Sequence, residues 1–368
     1  IGGPTMLRSA AKNHASVYVV VDPGDYGRVL DVLRAGGDGA ALRLELARKV
    51  FQHTAQYDAA IAEFLARQEE GAAGTELFPP HVRLELDRVQ PLRYGENPDQ
   101  AAAFYAERGA PTDSLPAMRQ LHGKELSFNN LLDIDAATSA VSAWADEPRA
   151  ACVIVKHNTP CGIALGDDAE EAYRRALRTD PVSAFGGIVA LNRAVDARAA
   201  AALAEQFLEV IVAPAFDDDA LELLRARKNI RLIQLPVSVA GADEWDMKRV
   251  RGGMLIQQRM RMEFPDDTWR VVTRRAPTDA EWRDLRFAWR VVAAVKSNAI
   301  VLARDEQTLG IGAGQMSRVD SSRIAVLKAG DQKLDLNGAV LASDAFFPFR
   351  DGVEAAARAG AVAVVQPG

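Results

Sequence analysis

A lysine and a histidine stand side by side where an apolar stretch of the sequence ends. Residues 151–155 read Ala-Cys-Val-Ile-Val, a composition typical of a buried strand, and Lys156 and His157 follow directly. Open α/β sheets place their ligands outside the carboxyl ends of their strands. An imidazole can accept a proton near neutral pH, and an adjacent ammonium group can stabilise a developing oxyanion. A solvated strand end is the plainer alternative, but the pairing favours a catalytic site.

The segment after His157 invites comparison with zinc deaminases, whose motifs are H-x-E and P-C-x-x-C. Pro160-Cys161 supplies only the start of the second motif. Thr159 stands where the glutamate is needed, and Ala164 stands where the second cysteine is needed. Because three protein ligands cannot be assembled from this segment, we expect no zinc.

Two other segments combine residues that could bind a substrate. Arg93 and Tyr94 could grip a phosphate and stack on a base, although a surface turn explains them equally well. Gly186 precedes an apolar strand and would let the backbone approach a ligand closely, or would simply form a turn.

Two further segments lie nearer the C-terminus. Residues 310–315, Gly-Ile-Gly-Ala-Gly-Gln, have G-x-G-x-G spacing, which favours exposed amides over a Rossmann fingerprint, and Lys296-Ser297-Asn298 precede a strand in the same region. Residues 343–351 hold three phenylalanines between aspartates. Phenylalanine is more often a core residue, but this pattern also fits an apolar slot for a flat ring, such as a pterin, with a carboxylate for its amino group.

Hydrophobic periodicity predicts the helices and strands that carry these residues. From Leu84 onward, short apolar segments that predict strands alternate with helical patterns. Strands are expected at residues 151–155, 187–191, 210–213, 299–303, 339–341 and 361–365, and helices at 170–178 and 197–207. This alternation predicts α/β architecture with a largely parallel or mixed sheet. Two similar α/β halves are an open alternative that one sequence does not show.

The N-terminal region has a different pattern. Val17–Val21 predicts a short buried strand, and apolar residues between Leu46 and Leu65 recur at helical spacing over about two helices. A polar stretch from Gln68 to Pro80 ends in Pro-Pro and predicts a linker. A second break is expected between Met262 and Asp279. For 368 residues, two or three domains are the prior.

Composition narrows the function classes. A net charge of -6 argues against broad nucleic-acid binding. No apolar run approaches the ~20 residues that a membrane span needs. The two cysteines, Cys152 and Cys161, cannot form a disulfide framework, which indicates a reducing, cytoplasmic setting. The sequence begins at Ile1 on a Gly-Gly turn and ends just after an apparent strand, so we expect that it is part of a longer protein.

Seven motifs occur in the order known from one enzyme family. They are RYGENP, SFNNLLDIDAA, VIVKHNTPCG, DPVSAFGGIVALNR, KSNAIVLA, GIGAGQMSRVDS and LASDAFFPFRDGVE, between Arg93 and Glu354. Together they resemble the bifunctional purine-biosynthesis family that combines 5-aminoimidazole-4-carboxamide ribonucleotide (AICAR) formyltransferase with inosine monophosphate (IMP) cyclohydrolase. The resemblance implies two α/β subdomains similar to cytidine deaminase but without zinc, at residues 81–260 and 261–368. Residues 1–80 resemble the C-terminal part of a methylglyoxal-synthase-like cyclohydrolase domain.

The resemblance implies formyl transfer from 10-formyltetrahydrofolate to AICAR, in a homodimer whose sites are shared across the interface. By residue, it implies catalysis by Lys156, His157 and Asn298, with Lys12 in the cyclohydrolase site. Substrate contacts are implied for Arg93, Tyr94, Gly186, Glu209 and Phe346, and folate contacts for Arg318, Val319, Pro348, Phe349 and Asp351. Ser297 and Asp344 match positions that hold a monovalent cation, such as potassium, in some members.

The sequence also departs from the family pattern. Asp99 stands where the family usually has histidine, which would weaken an anion contact there. The aspartate before Ile1, the earlier lysine and tyrosine of the cyclohydrolase site, and the Arg-His-Phe segment beyond Gly368 are not in this sequence. We therefore expect an incomplete cyclohydrolase site and keep two alternatives, a non-catalytic nucleotide- or folate-binding fragment and a zinc-type nucleoside deaminase.

Overall fold

A computed structural model describes residues 3–69, 77–239, 241, 244–262 and 268–367. The chain divides into two compact units, residues 1–83 and residues 84–368. The predicted linker and the predicted second break lie partly outside the described residues, at 70–76 and 263–267. Among the described helices, none combines the length and the apolar character that crossing a membrane requires.

The regular secondary structure among the described residues of the first unit is helical. Its helices are α1 (Pro4–Lys12), α2 (Tyr26–Ala35) and α3 (Ala40–Glu69), with a short 3₁₀ turn at Pro23–Asp25. The strand predicted at Val17–Val21 is wrong, because no described segment of this unit pairs with it and only Val19 is buried. The prediction of two helices up to Leu65 is also wrong. With no glycine or proline to interrupt it, α3 is one helix of 30 residues.

The second unit is a mixed α/β structure, which confirms the predicted fold class. Its helices are α4 (Phe128–Val141), α5 (Ala169–Thr179), α6 (Ala197–Glu205), α7 (Asp218–Arg225), α8 (Asp279–Ala293), α9 (Arg318–Asp331) and α10 (Arg350–Ala359). Its strands are β1 (Leu86–Leu92), β2 (Ala102–Glu107), β3 (Arg119–His122), β4 (Ala150–Lys156), β5 (Thr159–Gly166), β6 (Gly187–Leu191), β7 (Leu208–Ala213), β8 (Arg231–Gln234), β9 (Trp245–Val250), β10 (Gly253–Gln258), β11 (Ile300–Arg304), β12 (Gln307–Gly312), β13 (Val340–Ser343) and β14 (Ala363–Val365).

Ten of these strands form one sheet in the order β14-β13-β11-β12-β5-β4-β6-β7-β8-β3. The remaining described strands form two separate hairpins, β1-β2 and β9-β10. Helices α4 and α8 cover one face of the large sheet, and α5, α6, α7, α9 and α10 cover the other. All six strands predicted in the second unit are confirmed within one or two residues at each end. Strand β5 was missed, because Asn158-Thr159-Pro160-Cys161-Gly162 looks like a turn.

The sheet contains the same arrangement twice, which settles the alternative that the sequence left open. The first half, α4 to β7, orders its strands β5-β4-β6-β7, and the second half, α8 to β14, orders them β12-β11-β13-β14. Both halves begin with a capping box, Ser127 with Asn130 in α4 and Thr278 with Glu281 in α8. The two halves meet where β5 pairs with β12.

Candidate functional site

The β4–β5 hairpin places Lys156 and His157 at an edge of the large sheet. Lys156 pairs with Thr159, so His157 and Asn158 form a two-residue turn. Their φ angles are 52° and 61°, the left-handed conformation that a type I′ hairpin turn requires. His157 is exposed at the tip and Lys156 is half-buried, whereas residues 150–155 of β4 are buried. The predicted strand-end position of the pair is therefore confirmed.

Lys156 is anchored to the loop that precedes β6. Its Nζ donates a hydrogen bond to the carbonyl oxygen of Gly186 at 2.8 Å. Gly186 has a φ of 67°, and a Cβ there would lie 3.1 Å from Lys156 Nζ. The Gly186 amide donates to the carbonyl oxygen of Phe207 at 2.7 Å. Glycine is thus needed at this position both for its conformation and for the approach of the lysine.

A second group of polar side chains surrounds Asn298. Arg318 donates to Oδ1 of Asn298 at 2.8 Å, to Ser343 Oγ at 3.0 Å, and to the carboxylate of Asp344. Asp344 also accepts the amide of Ala299 at 3.0 Å. Because Arg318 occupies Oδ1, the amide nitrogen of Asn298 is turned the other way, toward the Gln315 carbonyl oxygen at 2.9 Å.

Asp344 is held in its ionised form. Burial by itself would raise the pKa of Asp344, but hydrogen bonds from Ser297, from the Ala299 amide and from Arg318 outweigh it and lower the pKa below its usual range. A carboxylate that already pairs with Arg318 is neutralised locally, so a cation at Ser297 and Asp344 would compete with that guanidinium.

Strand pairing brings both groups to one edge of the sheet. β5 begins at this edge beside Lys156, and β12, which is antiparallel to β5, ends there. Ile300 pairs with both Gly312 and Ser343, so the residues before β11 and after β13 lie at the same edge. The Lys156–His157 pair and the Asn298 group therefore face a common region, although 141 positions separate His157 from Asn298 in the sequence.

The loop of Gly186 is also tied to the second half. Lys328 in α9 donates to the carboxylate of Asp180 and, at 3.0 Å, to the hydroxyl of Ser183. Burial would raise the pKa of Asp180, but the hydrogen bonds from Lys328 and Ser183 outweigh it and lower the pKa. This ion pair fixes the start of the loop that presents Gly186.

The predicted substrate-binding residues Arg93, Tyr94 and Glu209 lie in segments that contact the start of α4. The Arg93 guanidinium lies 4.8 Å from the centre of the Tyr94 ring. Their loop meets α4 where Asn129 donates to the Glu96 carbonyl oxygen at 3.4 Å. Gly187 pairs with Leu208, so the following residue, Glu209, lies beside the Gly186 loop and accepts a hydrogen bond from Asn130 at 2.8 Å.

The three phenylalanines that follow β13 differ in their exposure to solvent. Phe346 is 58% exposed and Phe349 is 74% exposed, whereas Phe347 packs against the core between α9 and α10. The core interpretation is therefore right for one phenylalanine only. The other predicted folate residues lie at helix starts: Arg318 and Val319 open α9, Pro348 precedes α10, and Asp351 lies in the first turn of α10.

The G-x-G-x-G segment serves packing more than ligand contact. Gly310 and Gly312 are buried in β12, where a Cβ would lie 2.1 Å from the Ala325 carbonyl oxygen and 1.9 Å from that of Ser321. The expectation of exposed amides is wrong for these two glycines, because α9 lies directly on them. Only Ala313, Gly314 and Gln315 reach the edge of the sheet.

Two further residues that the sequence pointed to are Lys12 and Cys161. Lys12 is the last residue of α1 in the first unit and is exposed, and Ile1 and Gly2 lie outside the described residues. Cys161 lies in β5 with its Sγ 3.5 Å from the Ile154 carbonyl oxygen, and burial raises its pKa to about 12. Within the described ranges, no group of three or more His, Cys, Asp or Glu side chains is arranged to hold a metal ion.

Comparison with known proteins decides the family. The sequence profile of the AICARFT/IMPCHase bienzyme matches residues 10–328. The chain is also similar to the bifunctional purine biosynthesis protein PurH of Magnetococcus marinus, with 55% identity over 382 aligned residues that cover 100% of this chain and 71% of the relative. The chain belongs to the AICARFT/IMPCHase bienzyme family.

Sequence reasoning missed one carboxylate at the site of this AICARFT/IMPCHase chain. Asp133 lies in α4, within the motif SFNNLLDIDAA, and its Oδ1 accepts the backbone amide of Asn158 at 2.6 Å. The available signal was an acidic residue within the helical motif, six residues after the capping Ser127. Without the strand pairing, nothing connected that aspartate to the His157 turn.

Proposed function

We propose that this chain transfers the formyl group of 10-formyltetrahydrofolate to the 5-amino group of AICAR, as a step of purine biosynthesis. The observation that carries the proposal is the placement of Lys156 and His157 at one sheet edge with Gly186, Asn298 and Arg318. The proposal is supported by membership of the AICARFT/IMPCHase family and by sequence identity with a protein that is named for purine biosynthesis.

The reaction needs a base and a group that stabilises an oxyanion. The 5-amino group of AICAR is a weak nucleophile, because the ring and the carboxamide withdraw its lone pair. The amine attacks the formyl carbon, His157 accepts the proton that the amine loses, and the C–N bond to the folate then breaks. Lys156 stabilises the tetrahedral oxyanion or protonates the departing folate nitrogen. An ammonium group has three N–H donors, and Lys156 directs one of them at Gly186.

The remaining residues are assigned to binding. Arg93 and Tyr94 contact the nucleotide from across a homodimer interface. Further contacts with the substrate come from Gly186, Glu209 and Phe346. Asn298, oriented by Arg318, supports the reacting amine. The folate lies against Arg318, Val319, Pro348, Phe349 and Asp351, and the exposure of Phe349 supports an open apolar surface for its ring. Residues 81–260 and 261–368 form the two subdomains of this transferase.

Three finer features complete the proposal. The longer protein closes the product to IMP in a cyclohydrolase domain, to which residues 1–80 and Lys12 belong. A potassium ion binds at Ser297 and Asp344, where it would replace part of the contact between Asp344 and Arg318. The enzyme works as a cytoplasmic homodimer.

The test is tetrahydrofolate release, followed by absorbance, from the protein mixed with AICAR and 10-formyltetrahydrofolate. We expect turnover in the wild type and a loss of ~10²–10⁴-fold in kcat in His157→Ala, because general-base catalysis is typically worth that much. Circular dichroism checks that the variant is folded. Near-wild-type turnover in folded His157→Ala would remove the proposed base. Ligand binding without turnover in the wild type would favour the binding-fragment alternative.

A further inference from the structure

A carboxylate from α4 lies beneath the turn that carries His157. Asp133 Oδ1 accepts the Asn158 backbone amide at 2.6 Å. With its side-chain nitrogen directed at these acceptors, Asn158 Nδ2 lies 2.9 Å from the same carboxylate oxygen and 3.3 Å from the Leu132 carbonyl oxygen. The first half of α4 thus holds the tip of the hairpin by several contacts.

The turn needs such a support because of its sequence. Two-residue type I′ turns favour Asn-Gly, since both central residues have positive φ and glycine adopts that conformation without strain. Here the central residues are His157 and Asn158, at φ 52° and 61°. Both carry a side chain in the left-handed region, which is uncommon for residues other than glycine, although Asn and His enter it more often than most. The hydrogen bonds that Asn158 donates to Asp133 offset that cost, so the conformation of the His157–Asn158 turn depends on α4.

The second half uses the same device where no catalysis is proposed. Asp284, the sixth residue of α8, accepts the amides of Asp305 and Glu306 at 3.0 and 2.9 Å. Those two residues form the β11–β12 turn, with φ of 53° each. Asp133 is likewise the sixth residue of α4. Burial raises the pKa of both aspartates, and the turn amides act against that rise in each. An aspartate that supports the turn is therefore part of the repeated fold, and the supported turn contains a histidine only in the first half.

We propose that Asp133 is a positioning residue for the formyl transfer: by holding the His157–Asn158 turn in its left-handed conformation, it presents the imidazole of His157 at the sheet edge. This role rests on the proposed function. In this role Asp133 acts on the reaction through the geometry of the turn, and a displacement of ~1 Å at a catalytic group can cost ~10²-fold in rate.

The experiment compares three variants of the full chain in the tetrahydrofolate-release assay. Asp133→Ala should lower kcat by about 10–10²-fold while KM for AICAR stays within about twofold, because the base is displaced and binding is not. Asp284→Ala is the matched control: it removes the same support from the other half and should change kcat by less than about twofold. In Asp133→Ala/Asn158→Gly, glycine relieves the left-handed strain at the second turn position, so about fivefold of the lost kcat should return.

Hydrogen–deuterium exchange of a peptide covering residues 152–162 reports on the turn without using activity. We expect faster exchange in Asp133→Ala than in the wild type and unchanged exchange in Asp284→Ala. Unchanged kcat in Asp133→Ala, an equal loss of kcat in Asp284→Ala, or no recovery in the double variant would each overturn the positioning role. An inactive wild type would overturn the proposed function and this role with it, whereas an active wild type with unaffected Asp133→Ala overturns this role alone.

Discussion

In the first half of the large sheet, β4 turns into β5 at His157–Asn158, and in the second half, β11 turns into β12 at Asp305–Glu306. Both turns have positive φ at two non-glycine residues, and both are supported by the sixth residue of the preceding helix. The residue before the turn is Lys156 in one half and Arg304 in the other. Lys156 donates to the Gly186 carbonyl oxygen, whereas Arg304 donates to that of Asn337. One backbone framework therefore serves a proposed catalytic pair in one copy and surface ion pairs in the other.

The likeness extends into the packing beneath the turns. Gly162, the fourth residue of β5, lies against the Ala176 carbonyl oxygen of α5, and Gly310, the fourth residue of β12, lies against the Ala325 carbonyl oxygen of α9. After β6, Asn192 accepts the Ala151 amide at 2.7 Å, as Asp344 accepts that of Ala299 after β13. The backbone contacts are shared, while the side chains that differ gather at the proposed site. Asp344, unlike Asn192, can pair with Arg318.

The largest effect is expected from removing the cationic side chain that precedes each turn. Lys156→Ala should lower kcat by ~10²–10³-fold, the typical effect of losing one group that stabilises an oxyanion. Arg304→Ala, the equivalent change in the second half, should leave kcat within about twofold. Tetrahydrofolate release measures both. Equal losses in the two variants would show that the difference in chemistry between the halves is not the one described.

A second prediction tests the packing of strand against helix that the two halves of the sheet share. A methyl group at Gly162 or Gly310 would lie 2.1 Å from a helix carbonyl oxygen, so strand and helix must separate. We expect Gly162→Ala and Gly310→Ala each to lower the free energy of unfolding by ~1–3 kcal/mol, measured by urea denaturation. Gly253→Ala is the control, since its Cβ would meet only Val250 Cγ2 at 3.6 Å. A large loss at one of the two strand positions and none at the other would mean that the halves pack differently.

The smallest effect is expected at Cys161. It occupies in β5 the place that Leu309 occupies in β12, the third residue of the strand. With a pKa of about 12, about one thiol in 10⁴ is ionised at pH 8, so modification by a thiol reagent should be slow and should accelerate as the pH rises. Cys161→Ala should leave kcat within about twofold. Rapid modification at pH 8 with loss of turnover would instead place this thiol in the site.

Local patterns explain most of the strands that were predicted. Runs such as residues 151–155 and 187–191 are continuous apolar stretches, and a strand covered by helices on both faces needs such a composition. β5 escaped because Pro160 and Gly162 look like turn residues. In the structure, Pro160 faces a register shift between Ile154 and Val155, where its missing N–H does not interrupt a regular ladder. Gly162 is there to admit α5, which no local pattern reveals.

Hydrophobic periodicity and residue chemistry are local properties, so the fold class, the buried strands and the candidate pair Lys156–His157 could be predicted from short stretches of sequence. Motifs that each lie within one short segment likewise predicted the family. The folded chain was needed to show that Asn298, Arg318 and Asp344 share an edge with that pair, that the fold is repeated, and that Asp133 supports the turn. Those relations depend on β5 pairing with β12 and on helices lying across strands. Contacts between residues far apart in the chain are set by packing of the whole sheet, and no short stretch of sequence encodes them.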